Sequence, residues 1–314
     1  MNYSRLLTNK DSVRHFFERV LQYDYETECS RSILSKVAEG EKGLLSFDER
    51  SQTLNSTAER GNEYYDNISR WRLRKKIISE LFSLKRLSND DDISLGMGGA
   101  LPQSELKADK QAIIIIGLPA SGKSTIATTI ADDYGAVIID SDYAKRKIPE
   151  FHENTYGATV VHEESSEITF GFSSNDGNLK SLYEKCLDES YNMVIPTIGH
   201  SPRGLLELAK KLKTDKKYDV HLISIELLKK DATIRAIKRF DITGRYVPLG
   251  LIFDQYGNNS ILSYYYLRCK YFNEFKSFGA LYNNVPQGQD PKCTDILGGS
   301  PIIKYEIGKN IVLF

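Results

Sequence analysis

Apolar positions recur every three or four residues over the first quarter of the chain, then give way to short unbroken apolar runs. In "DSVRHFFERVLQY" the residues Val13, Phe16, Phe17, Val20 and Leu21 share one helical face. In "WRLRKKIISELFSLKRL" Leu73, Ile77, Leu81 and Leu84 form a stripe surrounded by cations. The pattern predicts a small helical region from Asn2 to about Leu87. A cationic face of this kind fits a membrane surface or nucleic acid, but a solvated face covering the protein's own core is the simpler expectation. "SNDDDISLGMGGALPQ" gathers acids, glycines and a proline. It predicts a linker at residues 93–110, between a helical region at 1–92 and a second domain at 111–314.

Beyond the linker, strand-like runs alternate with helical ones, the signature of an α/β fold with a mostly parallel sheet covered on both faces. "AIIIIG", "AVIID", "NMVIP" and "YDVHLISIEL" are the predicted strands. Helices are predicted from Ser124 to Asp133, within Val160 to Ser190, and over "PRGLLELAKKLK" and "KDATIRAIKRF". Near the end, "SILSYYYLRCKYFNEF" reads as helix and "PIIKYEIGKNIVLF" as strand. Internal repeats and low-complexity tracts are absent from the sequence.

Composition narrows the function classes. The 314 residues are 40% hydrophobic and 27% charged, and 42 basic side chains balance 42 acidic ones, so no global field attracts nucleic acid or an anionic membrane. The start lacks the apolar core of a signal peptide, and no run approaches the roughly 20 apolar residues that span a bilayer. A cytoplasmic protein without membrane contact is the expectation. Cys29, Cys186, Cys269 and Cys293 show no zinc spacing and read as reduced structural thiols. His15, His152, His200 and His221 likewise lack partners at metal spacing. The tyrosines of "SYYYLRCKYF" could stack on bases, although at helical spacing they more often fill a core.

The chemistry concentrates after the first strand. Gly117, Leu118, Pro119, Ala120, Ser121, Gly122, Lys123 and Ser124 fit G-x-x-x-x-G-K-[ST] at every fixed position, followed by Thr125, between an apolar strand and a helix pattern. Glycines let the loop wrap a phosphate, its N–H groups and the helix N-terminus face the anion, Lys123 reaches the terminal phosphates, and Ser124 offers an oxygen to Mg²⁺. Phosphoryl transfer further requires a carboxylate toward the acceptor hydroxyl and cations for the transferred charge. "VIIDSDY" supplies Asp140 and Asp142, on one side of the sheet edge if the strand runs that far. Both are equally suited to capping the next helix. "AIKRFDITGRYVP" supplies Arg239 and Arg245 across a turn, in the manner of a lid over phosphates.

Taken in order, "GLPASGKST", "VIIDSDYAKRKIPEF", "VVHEESSEI", "YNMVIPTIGHSP", "IKRFDITGRYVP" and "ALYNN" resemble the zeta-toxin family of P-loop kinases, over roughly Ile113 to Asn284. The resemblance implies ATP or GTP as donor and Mg²⁺ as cofactor. Asp142 would be the base toward the acceptor, Lys123 the phosphate lysine, and Arg239 and Arg245 the nucleotide clamp. His162, Glu164 and Ser166 match its His-x-Glu-x-Ser segment, which implies substrate contact by Glu164, and Thr197 survives at a substrate position. Asp140 joins Ser124 as a metal ligand. One departure stands out, since Pro196 replaces the family's acidic residue at the end of the third strand. The implied acceptor is a hydroxyl of UDP-N-acetylglucosamine or a related nucleotide sugar, with an antitoxin or regulatory partner. The alternatives are NAD, a polynucleotide end, or a nucleotide-dependent switch that hydrolyses slowly.

Overall fold

The computed structural model describes residues 6–48, 51–153, 155–172, 179–286 and 289–305. Its six strands are β1 (Gln111–Ile116), β2 (Val137–Ile138), β3 (Met193–Thr197), β4 (Asp219–Glu226), β5 (Ser277–Tyr282) and β6 (Lys292–Leu297). They form one sheet in the order β2-β3-β1-β4-β5-β6. All pairings are parallel except that of β6 on β5. The four isoleucines Ile113 to Ile116 lie on the central strand and are fully buried, because helices cover both faces of the sheet. This is the α/β P-loop architecture.

Twelve helices occur among the described residues: α1 (Lys10–His15), α2 (Tyr25–Glu28), α3 (Ile33–Ser46), α4 (Asn67–Ser83), α5 (Lys123–Tyr134), α6 (Ser141–Lys147), α7 (Gly157–Val160), α8 (His162–Phe170), α9 (Leu182–Asp188), α10 (Pro202–Lys210), α11 (Lys229–Thr243) and α12 (Asn259–Lys270). The helix expected within Val160 to Ser190 is interrupted: α8 ends at Gly171, whose φ of 130° few other residues adopt, and α9 begins only after the Ser181 capping box. In α12 the three tyrosines divide as the helical period dictates. Tyr264 is buried against Phe278, while Tyr265 and Tyr266 face outward.

The C-terminal part departs from expectation. "SFGALY" and "KCTDIL" supply β5 and β6, which short length and a half-exposed edge conceal from periodicity. The expected final strand instead starts with a turn over Ile303–Tyr305, and Ile302 packs where a side chain at Gly279 would stand. Residues 306–314 of that expectation lie outside the described residues.

The helical region and the linker are built into the fold rather than tethered to it. In α4, Leu73, Ile77, Ile78 and Leu81 belong to the same core as the sheet. Helices α1 to α3 form a second core with Ile237 and Phe240 of α11, together with Tyr246 and Leu249 just beyond it. Val20, expected on the apolar face, is 39% exposed because the chain loosens into a π-turn at Phe16–Val20. In the expected linker, Ile93 and Ala100 are buried. The Ala100 carbonyl accepts from Ile138 N–H at 3.0 Å, and Lys147 Nζ donates to the carbonyls of Ser94 and Met97 at 2.9 and 3.1 Å. The division at residues 92 and 110 therefore marks no gap in packing.

A buried ion network fastens α4 to this core. Arg70 donates from Nη1 to Glu150 at 2.7 Å and from Nη2 and Nε to Glu164 at 2.5 and 2.8 Å. Arg74 and Thr53 each reach Glu164 at 2.6 Å. Glu164 is completely buried. Burial alone would raise its pKa, but the hydrogen bonds and charge of Arg70, with Arg74, outweigh that and hold it down to about 2. Its unfolded value of 4.5 is higher, so the stabilisation is complete above about pH 4.5 and is lost as pH falls toward about 2. Glu164→Gln should destabilise the fold by about 3–5 kcal/mol by leaving buried guanidiniums underpaired. Urea unfolding across pH should show that the variant loses this acid-limb dependence.

Candidate functional site

β1 ends at Ile116, and the next residues, Gly117 to Gly122, turn directly into α5. Gly122 caps that helix at φ 89°, a conformation open to glycine at little cost, and a Cβ there would stand 2.2 Å from Asn283 Nδ2. Ala120 holds φ 61°, a tight bend for a residue with a side chain. Asn283, just past β5, donates to the Ser121 carbonyl at 2.7 Å, and Arg235 from α11 holds the Asn283 carbonyl at 2.8 Å. Lys123 Nζ turns inward to the carbonyls of Gly117 and Leu118, each at 2.7 Å. Ser121 Oγ is buried without a hydrogen-bond partner among the described residues. A loop that folds its lysine and an orphan hydroxyl inward offers donors to an oxyanion.

Across the sheet edge stands the Asp pair. β2 stops at Ile138, so the strand does not extend to Asp140 and Asp142 as the same-side argument required. Asp140 instead caps α6, accepting from Asp142 N–H at 2.9 Å, and Asp142 occupies the first turn. Lys145, one turn on, pairs with Asp142 at 2.8 Å. Lys145, with Arg146 and Arg245, holds the Asp142 carboxyl far below the usual carboxylate range. Burial, then the neighbouring Asp142, pushes Asp140 the other way. Desolvation lowers Lys123 to about 8, and the charges of Asp140 and Asp142 oppose that fall. The loop lysine and the Asp pair therefore share one electrostatic neighbourhood.

The predicted lid arginines converge as well. α11 ends at Gly244 with φ 70°, which turns the chain back and brings Arg245 beside Arg239. The residue between their guanidiniums is Asp91. Arg245 Nη1 donates to Asp91 Oδ1, Arg146 Nη2 reaches the same oxygen at 3.1 Å, and Arg239 Nη2 stands 3.6 Å away. Arg245 is pushed down to about 10 by burial and then by Arg146 and Arg239, and it stays charged at neutral pH. Among the described residues Lys123, Lys145, Arg146, Arg239 and Arg245 stand with Asp91, Asp140 and Asp142, a local excess of positive charge that suits a polyphosphate.

Other expected positions fall differently. Glu164, expected at the substrate, has its oxygens taken by Arg70, Arg74 and Thr53 inside the core, which corrects that expectation to a structural contact. Thr197 ends β3 beside Ile116, next to the loop. Ser124 and Thr125 are exposed on the first turn of α5. Among the described residues no three His, Cys, Asp or Glu side chains gather as a metal site. Sequence reasoning missed Asp91, Arg146, Arg70, Arg74 and Asn283. Arg70 and Arg74 carried a signal, because they sit one turn apart in line with the apolar stripe of α4.

The fold and loop define a protein of the P-loop class. The family model of the zeta toxin matches residues 100–260, and the chain belongs to that family. A search of curated proteins found no match. Among solved structures the chain is similar to one from the PezAT chromosomal toxin-antitoxin system of Streptococcus pneumoniae, at 17% identity and TM-score 0.46, over 62% of this chain and 74% of that one. It is also similar to the AvrRxo1-ORF1:-ORF2 complex, at 13% identity and TM-score 0.45, over 85% of this chain and 76% of that one. A gluconokinase from Sinorhizobium meliloti is similar at 14% identity and TM-score 0.32, over 57% and 86%.

Gly122→Ala tests the loop. The added methyl must displace Asn283 and adopt a left-handed conformation, at a cost of about 1–2 kcal/mol. The expected outcome is a modest fall in melting temperature and a loss of ATP affinity of roughly tenfold or more, the scale of one charge-assisted bond. Isothermal titration against ATP and tripolyphosphate checks it.

Proposed function

We propose that the chain is a kinase that transfers the γ-phosphoryl group of ATP or GTP to a hydroxyl of a nucleotide-containing small molecule. UDP-N-acetylglucosamine or a related nucleotide sugar is the preferred acceptor class. The observation that carries this reading is the shared neighbourhood of Lys123 and the Asp140–Asp142 pair, flanked by Arg146, Arg239 and Arg245. A phosphate loop alone serves a switch equally well, whereas a carboxylate pair across from it serves an incoming alcohol. Membership of the zeta toxin family supports the same reading, as it does an antitoxin-like partner. No helix among the described residues is long and apolar enough to cross a membrane.

Phosphoryl transfer passes through a loose transition state, so positioning and charge compensation supply most of the catalysis. The amides of residues 117–124 and Lys123 hold the donor phosphates. Mg²⁺, held by Ser124 and Asp140, would neutralise charge on the phosphate oxygens. Asp142, kept ionised by Lys145, orients the acceptor hydroxyl and accepts its proton late, as fits a weakly basic carboxylate. Arg239 and Arg245 offset the charge spreading over the transferred group. Thr197, at the end of β3 beside Ile116, would contact the acceptor.

The test is incubation with γ-labelled ATP and a panel of UDP-sugars, NAD, nucleosides and oligonucleotides, followed by mass analysis of the acceptors. Label should pass to a UDP-sugar, and Asp142→Asn should bind ATP normally while losing transfer by roughly 10²-fold to 10⁴-fold. ADP release at the same rate with no acceptor present would replace the kinase by a nucleotide switch.

A further inference from the structure

The arginine cradle of this protein already contains an anion of its own. Asp91 lies in the turn Asp90–Asp92, within the stretch that sequence patterning assigns to the end of the helical region, and not in the phosphate loop or the sheet. Its Oδ1 receives Arg245 and Arg146, with Arg239 at 3.6 Å. Three guanidiniums around one carboxylate oxygen is the arrangement such side chains adopt around a phosphate oxygen.

The turn is held in place from three directions. Asn89 Oδ1 accepts from Asp91 N–H at 3.1 Å, Ile93 is buried in the main core, and Tyr143 donates to Asp90 at 2.9 Å. Tyr143 belongs to α6, the helix that also carries Asp142 and Arg146. On the far side, Tyr246, next to Arg245, donates its hydroxyl to Glu41 of α3 and packs so closely on Gly40 that a Cβ there would stand 2.9 Å from its ring. Segments before the phosphate loop therefore grip the arginine segment both by its cation and by its neighbouring ring.

We propose that Asp91 is an intramolecular counter-anion that occupies the arginine cradle, so that nucleotide phosphates engage Arg146, Arg239 and Arg245 only by displacing it. The inference rests on the phosphate-binding role assigned above to Arg239 and Arg245. It makes the region before the loop an autoinhibitory element. A carboxylate carries one charge against the several of a triphosphate, so the contact weakens nucleotide binding without abolishing it. Asp91 is 37% exposed, which leaves the turn a route outward.

The experiment is titration of the full chain with a fluorescent ATP analogue in the presence of Mg²⁺. The set comprises wild type, Asp91→Asn, the neighbouring Asp92→Asn, Arg245→Met and the Asp91→Asn/Arg245→Met double variant. Asp91→Asn should bind roughly 5-fold to 20-fold tighter, the scale of one charge-assisted contact. Asp92→Asn, which alters charge equally but makes no contact with the cradle, should match wild type. The gain should shrink in the Arg245→Met background, a coupling that general loosening of the fold would not produce. Thermal melts serve as the second measurement: Asp91→Asn should melt lower than wild type alone and gain more from added tripolyphosphate. Equal or weaker binding by Asp91→Asn, with Arg245→Met still impaired, would overturn the inference and leave the phosphate cradle standing. If Arg245→Met binds as wild type does, the cradle and the inference fall together.

Discussion

A guanidinium sealed from water must be neutralised where it sits, and Arg70 meets this demand with carboxylates from two separate stretches of the chain. Glu150 follows α6 and Glu164 lies in α8, so the single side chain of Arg70 fixes α4 against both. Continuous desolvation makes such a contact sensitive to geometry, and mispositioning leaves charge unpaired in a low dielectric. Once α4 is fixed, the short connection from Ser83 to Asp90 has little freedom. Arg86 shortens it further by pairing with Asp132 of α5 at 2.6 Å, and Lys147 ties Glu80 to the turn that follows. The position of Asp91 among the arginines is a consequence of those anchors.

The same logic of charge runs through the sheet edge. The net formal charge of the whole chain is zero, yet cations gather where β1, β2 and α11 end. Assembling them without an anion would raise their mutual repulsion, which adds to burial in lowering Arg245. Asp91 and Asp142 relieve part of it from different sides. Lys123 is accommodated by loop carbonyls, which are acceptors it would exchange for phosphate oxygens under the proposed function. Each cation of the site thus has an internal partner weaker than a triphosphate.

What the sequence disclosed follows from how local each determinant is. The loop from Gly117 to Ser124 is legible because its spacing, glycine positions and flanking elements are all local. The buried strands are legible because four consecutive isoleucines cannot face water. Arg239 and Arg245 could be paired because one turn joins them. The short strands β5 and β6 escaped, since "SFGALY" contains a glycine that exists to admit Ile302 and β6 is half exposed. Asp91 escaped for a different reason. A run of Asp beside glycines and a proline has the composition of a loop, and only tertiary packing reveals that one of those carboxylates meets three arginines from α6 and the α11 region. Glu164 was misassigned because a motif match states which residue is present, not which way it faces; here α4 supplies arginines that draw it inward.

Pro196 stands in an interior strand where the pairing of β3 with the two-residue β2 ends. The carbonyls of Asn192 and Val194 face β2, accepting from Val137 and Ile139, each at 2.8 Å, so by the period of two Pro196 faces the same side. In that register the N–H that proline lacks would have met the Ile139 carbonyl, so the ladder between β2 and β3 stops at this level. The backbone forgoes that bond, and the site forgoes a carboxylate opposite the loop. Under the proposed function the Asp140–Asp142 pair then carries the acidic side of the chemistry alone. Their opposed acidities divide the work: Asp142 stays ionised against Lys145, and Asp140, less acidic, gains most from a nearby divalent cation. With a loose transition state, that division asks the protein for orientation and charge balance more than for a strong base, and both are what the α6 turn supplies.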